Sequence, residues 1–280
     1  MTREPDGESA VDPALEPDVL DPALLAAVAE FAAHERVLVA LDFDGTLAPE
    51  VDDPESARAL PAAHEALLRL RARPGTTVAL VSGRALASLA QVGALPDDAP
   101  LVGSHGLEVR FAAGDAPPAI DDADSARVRA LRSRLEPIVA ATEGAWIEHK
   151  PAGFAVHSRL VEPALASRLA AAVRSTAREV DPGLTVRDGK NVVEFSVRDA
   201  TKGDGLRALR ERFAPDAVLF AGDDVTDEDA LAALEPGDLG IKVGSAPSIA
   251  AHRVVGPAEV AALLHVLATA REARGSTSVD

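Results

Sequence analysis

Two patterns of apolar and polar residues divide this chain. In the first, short apolar runs rich in β-branched residues alternate with longer stretches whose apolar residues recur at helical spacing. Apolar runs of this kind form strands buried on both faces, as in a parallel sheet that helices cover. We predict such strands at 37–41, 76–81, 217–221 and 239–243, and a short interrupted strand within 100–109. We predict helices at 22–34, 61–73, 202–213 and 257–270.

In the second pattern, from about residue 110 to residue 197, that alternation weakens. Four strand-like runs (WIEHKP, GFAVHSR, LTVRDG and NVVEFSV) flank two helical stretches at about 123–142 and 163–180. Short strands of this kind are typical of an antiparallel sheet that helices cover on one face. Because the first pattern resumes afterwards, this part of the chain is predicted to be an inserted α+β domain.

The predicted fold class is therefore α/β, with a Rossmann-like parallel sheet covered by helices on both faces and an inserted α+β domain. We assign residues 22–107 and 199–271 to the sheet domain and residues 108–198 to the insert. Residues 1–21 contain many Asp, Glu and Pro residues and almost no basic ones, which is typical of a disordered acidic tail. Residues 272–280 are expected to form a second flexible tail.

Composition narrows the classes of partner. The net charge is −17, so we expect no binding to nucleic acid or to an anionic membrane, because Lys and Arg are what neutralise phosphate groups. The chain contains no cysteine, which excludes disulfides, thiolate zinc sites and a cysteine nucleophile. It shows neither a secretory signal pattern nor a long uncharged apolar run, and we expect a cytoplasmic protein. We expect it to be a monomer.

Two carboxylates stand at the end of the first predicted strand. Asp42 and Asp44 are two residues apart and would point to the same side of an extended chain, and Gly45 permits a sharp turn after them. Carboxylates this close repel each other unless a cation or a reacting group shares the site. The alternative is structural: Asp44 and Gly45 form a turn, and Asp42 caps the segment that follows.

Other polar groups occupy the ends of predicted strands or the starts of helices. Ser82, Gly83 and Arg84 follow the second strand, and Lys202 opens a helix. An acidic cluster follows the strand at 217–221 and contains Asp223, Asp224 and Asp227. The carboxyl ends of parallel strands converge on one crevice, so these groups are predicted to meet. Such a site would suit Mg²⁺, which binds few carboxylates, several waters and a substrate phosphate.

These motifs resemble the haloacid dehalogenase superfamily of phosphotransferases. The matching segments are, in order, DFDGT at 42–46, Ser82, Lys202 and GDDVTDED at 222–229. Within that superfamily the chain is similar to the trehalose-phosphate phosphatases over about residues 36–268, on the segments LDFDGTLAPE, VSGR, GSHGLEVR, EHKPAGFAVHSR, GKNVVEFSV and GDDVTDED. The resemblance implies a Mg²⁺-dependent enzyme of trehalose biosynthesis that hydrolyses trehalose 6-phosphate to trehalose and phosphate through an aspartyl phosphate. It also implies that the insert is a cap over the active site.

The resemblance further implies a role for each motif residue. Asp42 would be the nucleophile, Asp44 would be the general acid and base, and Ser82 and Lys202 would contact the phosphoryl group. Mg²⁺ would be held by Asp42, the backbone carbonyl of Asp44 and Asp223, with Asp224 and Asp227 around it or bound through water. The residues implied to bind substrate are Ser82, Gly83, Arg84, His105, Gly106, Glu148, Lys150, Arg187, Lys190, Asn191 and Glu194. Three further histidines are interpreted as structural or solvated: His64, His149 and His157.

Three other functions stay open on the sequence alone. A phosphatase or phosphomutase of the same superfamily could act on another sugar phosphate, such as sucrose phosphate. A signalling receiver domain also pairs acids with a lysine, but such domains are shorter and carry no insert. A carbohydrate-binding module would not need the acidic cluster.

Overall fold

A computed structural model describes residues 20–115, 121–189 and 191–276. Most of the predicted acidic tail, residues 1–19, and the last four residues of the predicted C-terminal tail lie outside this part of the chain, as does Lys190. Within the described residues, none of the helices has the length and apolar character that a membrane crossing requires.

A seven-stranded sheet forms the larger part of the molecule, in the order β11-β10-β9-β1-β2-β3-β4. Its strands are β1 (Val37–Leu41), β2 (Thr76–Val81), β3 (Leu101–Gly103), β4 (Glu108–Arg110), β9 (Ala217–Gly222), β10 (Leu239–Val243) and β11 (His252–Val254). Neighbouring strands are parallel except β4, which pairs with β3 in the antiparallel sense. The α/β fold class predicted from the sequence is confirmed.

Strand β1 lies in the middle of this sheet and is buried along its whole length. Its side chains alternate between two cores, as the pleat of a strand requires. Val37, Val39 and Leu41 face one core, and Leu38 and Ala40 face the other. The uninterrupted apolar run in the sequence is therefore explained by helices on both faces of the sheet.

The two helical layers are unequal. The helices that supply apolar residues to the first core are α1 (Pro22–Ala32), α2 (Pro61–Arg71), α3 (Leu86–Gly93) and α8 (Pro257–Ser276). Those that cover the second core are α6 (Lys202–Phe213) and α7 (Asp227–Leu231). Both α6 and α7 begin at the carboxyl edge of the sheet, so their first turns bring charged residues to that edge.

A separate four-stranded antiparallel sheet has the order β5-β6-β8-β7. Its elements are α4 (Asp122–Ala140), β5 (Trp146–Lys150), β6 (Gly153–His157), α5 (Pro163–Val180), β7 (Thr185–Gly189) and β8 (Val192–Ser196). Phe154 and Phe195 point to the side that the two helices cover, where they pack with Leu131 and Val173. Because strand residues alternate, the polar residues between them lie on the opposite face of this sheet.

The structure differs from the sequence-based boundaries at two places. The insert was predicted to begin at residue 108, but residues 108–110 form β4, which pairs with β3 in the large sheet. The GSHG segment interrupts the strand pattern, and this hides the pairing from sequence reading. The C-terminal tail was predicted from residue 272, but α8 continues to Ser276 and Glu272 forms an ion pair with Arg69 of α2.

Candidate active site

A cavity of about 510 Å³ lies between the two sheets. One wall consists of residues that follow β1, β2, β3 and β9 together with the start of α6, and we call this wall the floor. The facing wall consists of side chains from β5, β6 and β8, on the face that α4 and α5 leave uncovered, and we call it the roof. The carboxyl ends of the parallel strands thus converge on one site.

The floor centres on a buried lysine between two carboxylates. Lys202 Nζ lies 2.9 Å from Asp42 Oδ1 and 2.7 Å from Asp227 Oδ1. All three residues are almost completely buried, with 2%, 3% and 0% of their surface exposed. A capping box between Thr201 and Asp204 begins α6 at Lys202, so this side chain starts from a well-defined position.

Asp223 completes the acidic group. It follows β9, and its Oδ1 accepts a hydrogen bond from Thr46 Oγ1 at 3.3 Å. Gly45 passes so close that a Cβ atom there would lie 2.2 Å from Asp223 Oδ2, and its φ of +74° also favours glycine. The approach of the two segments therefore requires the glycine of DFDGT.

The donor set fits a divalent cation. Asp42, Asp223 and Asp227 each offer a carboxylate oxygen, and these oxygens lie within 4.8 Å of one another. Burial raises the pKa of Asp42 well above its ordinary value, although Lys202 opposes this. Burial and the nearby Asp227 raise the pKa of Asp223 to about 6. Three carboxylates around one lysine leave negative charge that a cation would balance.

The two other predicted metal residues are placed differently. Both carboxylate oxygens of Asp44 accept hydrogen bonds from Arg84, at 2.6 Å from Nε and 2.7 Å from Nη2. Its side chain is therefore held by Arg84 and is not one of the three carboxylates that converge. Asp224 is exposed at the mouth of the cavity and accepts a hydrogen bond from Thr226 at 3.2 Å.

Lys150 and Glu194 of the roof pair with each other and also reach the floor. Lys150 Nζ donates to Glu194 Oε1 at 2.6 Å and to the carbonyl of Gly83 at 2.8 Å. His105 Nε2 lies 3.0 Å from Glu194 Oε2. Burial works against the charge on Glu194, but His105 and Lys150 outweigh it and lower the pKa of Glu194 to about 2. Glu194 is therefore a carboxylate at neutral pH, held by both walls.

A second roof carboxylate is held within the small sheet. Glu148 Oε2 lies 2.9 Å from His157 Nε2, and the His157 ring stacks on Trp146 with 4.7 Å between the ring centroids. His157 and Arg159 also line the cavity. Arg159 donates to the carbonyls of Val51 and Asp52, in the loop after β1, so it links the two walls at their edge.

Most of the residues predicted from the sequence surround this cavity. Those that line it are Asp42, Asp44, Ser82, Gly83, Arg84, His105, Glu148, Lys150, Glu194, Lys202, Asp223 and Asp224. Asp227 lies beneath them, where it contacts Lys202 and accepts a hydrogen bond from the backbone N–H of Asp224.

Three described residues that were predicted to bind substrate do not line the cavity. Arg187 lies on the edge strand β7 and donates to the carbonyl of Ala200 at 2.6 Å, in the segment that joins the two sheets. Gly106 packs against the Thr201 carbonyl, where a Cβ would lie 2.2 Å away. The backbone carbonyl of Asn191 accepts a hydrogen bond from the backbone N–H of Ser158 in the neighbouring strand connection. The fourth, Lys190, lies outside the described residues.

His157, which was interpreted from the sequence as structural or solvated, lines the cavity, and so does Arg159, which the sequence did not point to. Both belong to the segment GFAVHSR, and a signal was available for His157. Phe154 and Val156 face the apolar core of the small sheet, so Ala155 and His157 must face the other way. Arg159 follows the strand, where this parity no longer applies.

Comparison with known proteins identifies the family to which a chain with this site belongs. The family model described as trehalose-phosphatase matches residues 40–261. The chain belongs to the trehalose-phosphatase family. The resemblance seen in its motifs is thus confirmed, and the matched range runs from β1 into α8 and includes both walls of the cavity.

Trehalose-phosphatase relatives are similar over most of this chain but are themselves longer. The trehalose-phosphate phosphatase of Mycobacterium ulcerans is 35% identical over 240 residues, which cover 81% of this chain and 60% of that protein. The bifunctional trehalose-6-phosphate synthase/phosphatase of Thermoproteus tenax is 32% identical over 228 residues, which cover 80% of this chain and 31% of that protein. The chain therefore spans about one third to three fifths of these two relatives.

Solved trehalose-phosphatase structures have the same fold. The trehalose-6-phosphate phosphatase of Aspergillus fumigatus is 27% identical with a TM-score of 0.60, covering 90% of this chain and 98% of that one. The C-terminal domain of the Candida albicans trehalose-6-phosphate phosphatase is 23% identical with a TM-score of 0.74, covering 89% and 96%. At this identity the Candida structure supports the fold alone.

Proposed function

We propose that this protein is a trehalose-6-phosphate phosphatase, which hydrolyses trehalose 6-phosphate to trehalose and phosphate. The observation that carries the proposal is the convergence of Asp42, Lys202, Asp223 and Asp227 on one cavity in a chain of the trehalose-phosphatase family. A carboxylate nucleophile, a lysine and a cation site are the groups that phosphoryl transfer through an aspartyl phosphate needs.

The proposed cofactor is Mg²⁺. Asp42, Asp223 and the backbone carbonyl of Asp44 would hold it, and Asp224 and Asp227 would act from around the site. When bound, the ion would offset the negative charge that separates a carboxylate nucleophile from phosphoryl oxygens. An all-oxygen donor set of this kind suits a hard cation.

Asp42 is the proposed nucleophile. Its carboxylate attacks phosphorus, the bond from phosphorus to the sugar oxygen breaks, and an aspartyl phosphate forms. Lys202 holds one Asp42 oxygen at 2.9 Å and so orients the carboxylate. Ser82, buried at the end of β2, and Lys202 are proposed to donate hydrogen bonds to the phosphoryl oxygens.

Asp44 is the proposed general acid and base. It would give a proton to the departing sugar oxygen and then take one from the water that hydrolyses the aspartyl phosphate. Arg84 now occupies both of its oxygens. Asp44 can therefore act only after Arg84 moves away, and we propose that Arg84 turns to the substrate.

The roof is proposed to recognise the sugar. A disaccharide presents many hydroxyl groups and little apolar surface, so charged and polar side chains should bind it. Glu148, Lys150 and Glu194 provide such groups on one face of the small sheet, and His105 and Arg84 provide them on the floor. We propose that residues 22–110 and 199–276 act as the catalytic domain and that the insert, which begins after β4, acts as a cap. A monomer in the cytoplasm, with no nucleic-acid partner, stays a prediction.

A phosphate-release assay on a panel of sugar phosphates tests the proposal. The panel contains trehalose 6-phosphate, sucrose 6-phosphate, glucose 6-phosphate and p-nitrophenyl phosphate, each with Mg²⁺ and with a chelator. We expect Mg²⁺-dependent release with the highest kcat/KM for trehalose 6-phosphate. Equal kcat/KM values across the panel, or faster release from sucrose 6-phosphate, would overturn the assignment of substrate. Unchanged release in chelator would overturn the assignment of cofactor.

A further inference from the structure

Lys242 is a charged residue inside an apolar strand. It lies on β10, within the sequence LGIKV, and pairs with Gly222 of β9 and Arg253 of β11. Only 2% of its side chain is exposed. Lysine is almost never fully buried unless its ammonium group has partners, so this position requires an explanation.

The partners of Lys242 are backbone atoms of the acidic segment. Its Nζ donates to the carbonyl of Asp223 at 2.7 Å and to the carbonyl of Asp224 at 3.0 Å. A lysine ammonium has three donors, and the remaining direction faces Glu228 Oε1 at 3.5 Å. The side chain thus reaches beneath the segment that carries the proposed cation ligands.

One of these carbonyls joins two acids of the floor. The Asp224 carbonyl accepts from Lys242 and also from the backbone N–H of Asp227, at 3.3 Å. Asp227 Oδ2 in turn accepts from the backbone N–H of Asp224 at 2.8 Å. Lys242 therefore fixes the turn from which both Asp223 and Asp227 project, while its own ammonium group binds the carbonyls of Asp223 and Asp224 and not the carboxylates of the floor.

We propose that Lys242 is a positioning residue for the cation site. By holding the carbonyls of Asp223 and Asp224, it keeps the carboxylates of Asp223 and Asp227 beside Asp42. This inference rests on the proposed function only in taking the cation to be the Mg²⁺ of the phosphatase reaction. Loss of a group that orients metal ligands typically lowers metal affinity by about 10- to 100-fold.

For Lys242→Met, the loss of a positive charge and the loss of a positioning contact should change Mg²⁺ affinity in opposite directions. Removal of a positive charge near a dication would by itself tighten Mg²⁺ binding, because like charges repel. Removal of a positioning contact would weaken it. We expect calorimetric titration with MgCl₂ to show affinity lower by about 10- to 100-fold. In the metal-free protein, amide hydrogen exchange of residues 223–227 should also be faster than in the parent.

Glu228→Gln is the matched control. It removes the carboxylate nearest Lys242 but leaves both carbonyl hydrogen bonds, so Mg²⁺ affinity should fall only through the loss of one nearby negative charge, and by less than in Lys242→Met. Ile241→Val on the same strand controls for a loss of packing and should not change Mg²⁺ affinity. The proposal is overturned if Lys242→Met binds Mg²⁺ as tightly as the parent or more tightly, or if Ile241→Val weakens binding equally.

The design separates this proposal from the proposed function. A parent that binds Mg²⁺ but releases no phosphate from trehalose 6-phosphate would refute the function and leave the role of Lys242 to the titration. A parent with no saturable Mg²⁺ binding would refute both. If Lys242→Met does not fold, Lys242→Gln, which is too short to reach both carbonyls, replaces it. If neither variant folds, the positioning role is rejected, because Lys242 is then required for folding of the whole protein.

Discussion

The two walls of the cavity hold charged groups in different ways. On the floor, Asp42 and Asp227 are buried and both are paired with the buried Lys202. On the roof, Lys150 of β5 and Glu194 of β8 come from strands on either side of β6, and their contacts reach across to Gly83 and His105 of the floor. The ion pairs of the floor form without any roof residue, whereas the roof residues also take partners from the floor.

From this difference we infer that the floor carries out the chemistry and the roof recognises the sugar. A nucleophile must keep its geometry through every turnover, and burial at the end of a central strand provides that rigidity. A sugar-binding group must exchange its partners for those of the ligand, and side chains on an open sheet face can do so. Changes on the floor should therefore lower the rate for every substrate, and changes on the roof should lower the preference for one.

Among changes on the floor, Asp42→Asn should lower kcat the most. The amide cannot attack phosphorus, and kcat for trehalose 6-phosphate should fall on the order of 10⁴-fold or more, as when other covalent nucleophiles are removed. Steady-state phosphate release measures the fall, and circular dichroism checks that the fold is retained. A kcat near that of the parent would exclude Asp42 as the nucleophile.

Lys202→Met should have the next largest effect. It removes a buried donor and cation from the proposed phosphoryl site, which should lower kcat by about 10²- to 10³-fold. The loss should be similar for trehalose 6-phosphate and p-nitrophenyl phosphate, because Lys202 makes no hydrogen bond to the roof. Arg207→Met, an exposed position on the same helix, is the control. A loss confined to trehalose 6-phosphate would contradict the division between the walls.

Glu194→Gln tests the roof. A hydrogen bond to a charged group contributes about 1.5–3 kcal/mol, so kcat/KM for trehalose 6-phosphate should fall by about 10- to 100-fold. Hydrolysis of p-nitrophenyl phosphate should hardly change. Glu179→Gln, at an exposed position of α5, is the control with the same change of charge. If both substrates lose rate equally, Glu194 serves the chemistry and not the recognition.

The smallest expected effect is a pH dependence of stability at the contact between the walls. Burial lowers the pKa of His105 below its ordinary value of 6.5, although Glu194 opposes this. The unfolded chain therefore takes up this proton more readily, and the contribution of His105 to the free energy of unfolding should fall as pH drops through the ordinary value towards the lowered one. Glu194, with a pKa of about 2, does not titrate in this window, whereas Asp223, with a raised pKa of about 6, does so with the opposite sign.

His105→Gln should remove that contribution. Denaturant unfolding between about pH 7.5 and about pH 5.5, where histidine titrates, should show that the parent loses stability relative to the variant as pH falls, because the contribution of Asp223 is common to both proteins. His64→Gln, outside the cavity, is the control histidine. The assignment fails if the slopes of the parent and of His105→Gln agree.

Floor residues were predictable because each follows a recognisable strand or opens a recognisable helix. Asp42, Ser82, Lys202 and Asp223 could be placed at one edge of the sheet from the chain order alone. The pairing of Arg84 with Asp44 could not, because a contact across 40 residues depends on side-chain conformations that no local pattern encodes.

Roof residues were predictable only in part. Strand parity placed Glu194 on the same face as its neighbours at two-residue spacing, but it could not show where the edge strand β7 directs Arg187. Lys242 left a visible signal, a charge inside an apolar run. Its partners are backbone carbonyls, which every sequence possesses, so the contact itself could not be read from the residues.

The position of β1 also determines the order in which catalytic activity and substrate preference would be lost on partial unfolding. This strand has a hydrogen-bonded neighbour on each side and is buried from Val37 to Leu41, so its amides open only when the whole sheet does. Strands β5 and β7 form the two borders of the small sheet and can fray alone. A partly unfolded sample should therefore lose its preference among sugar phosphates before it loses its phosphatase activity.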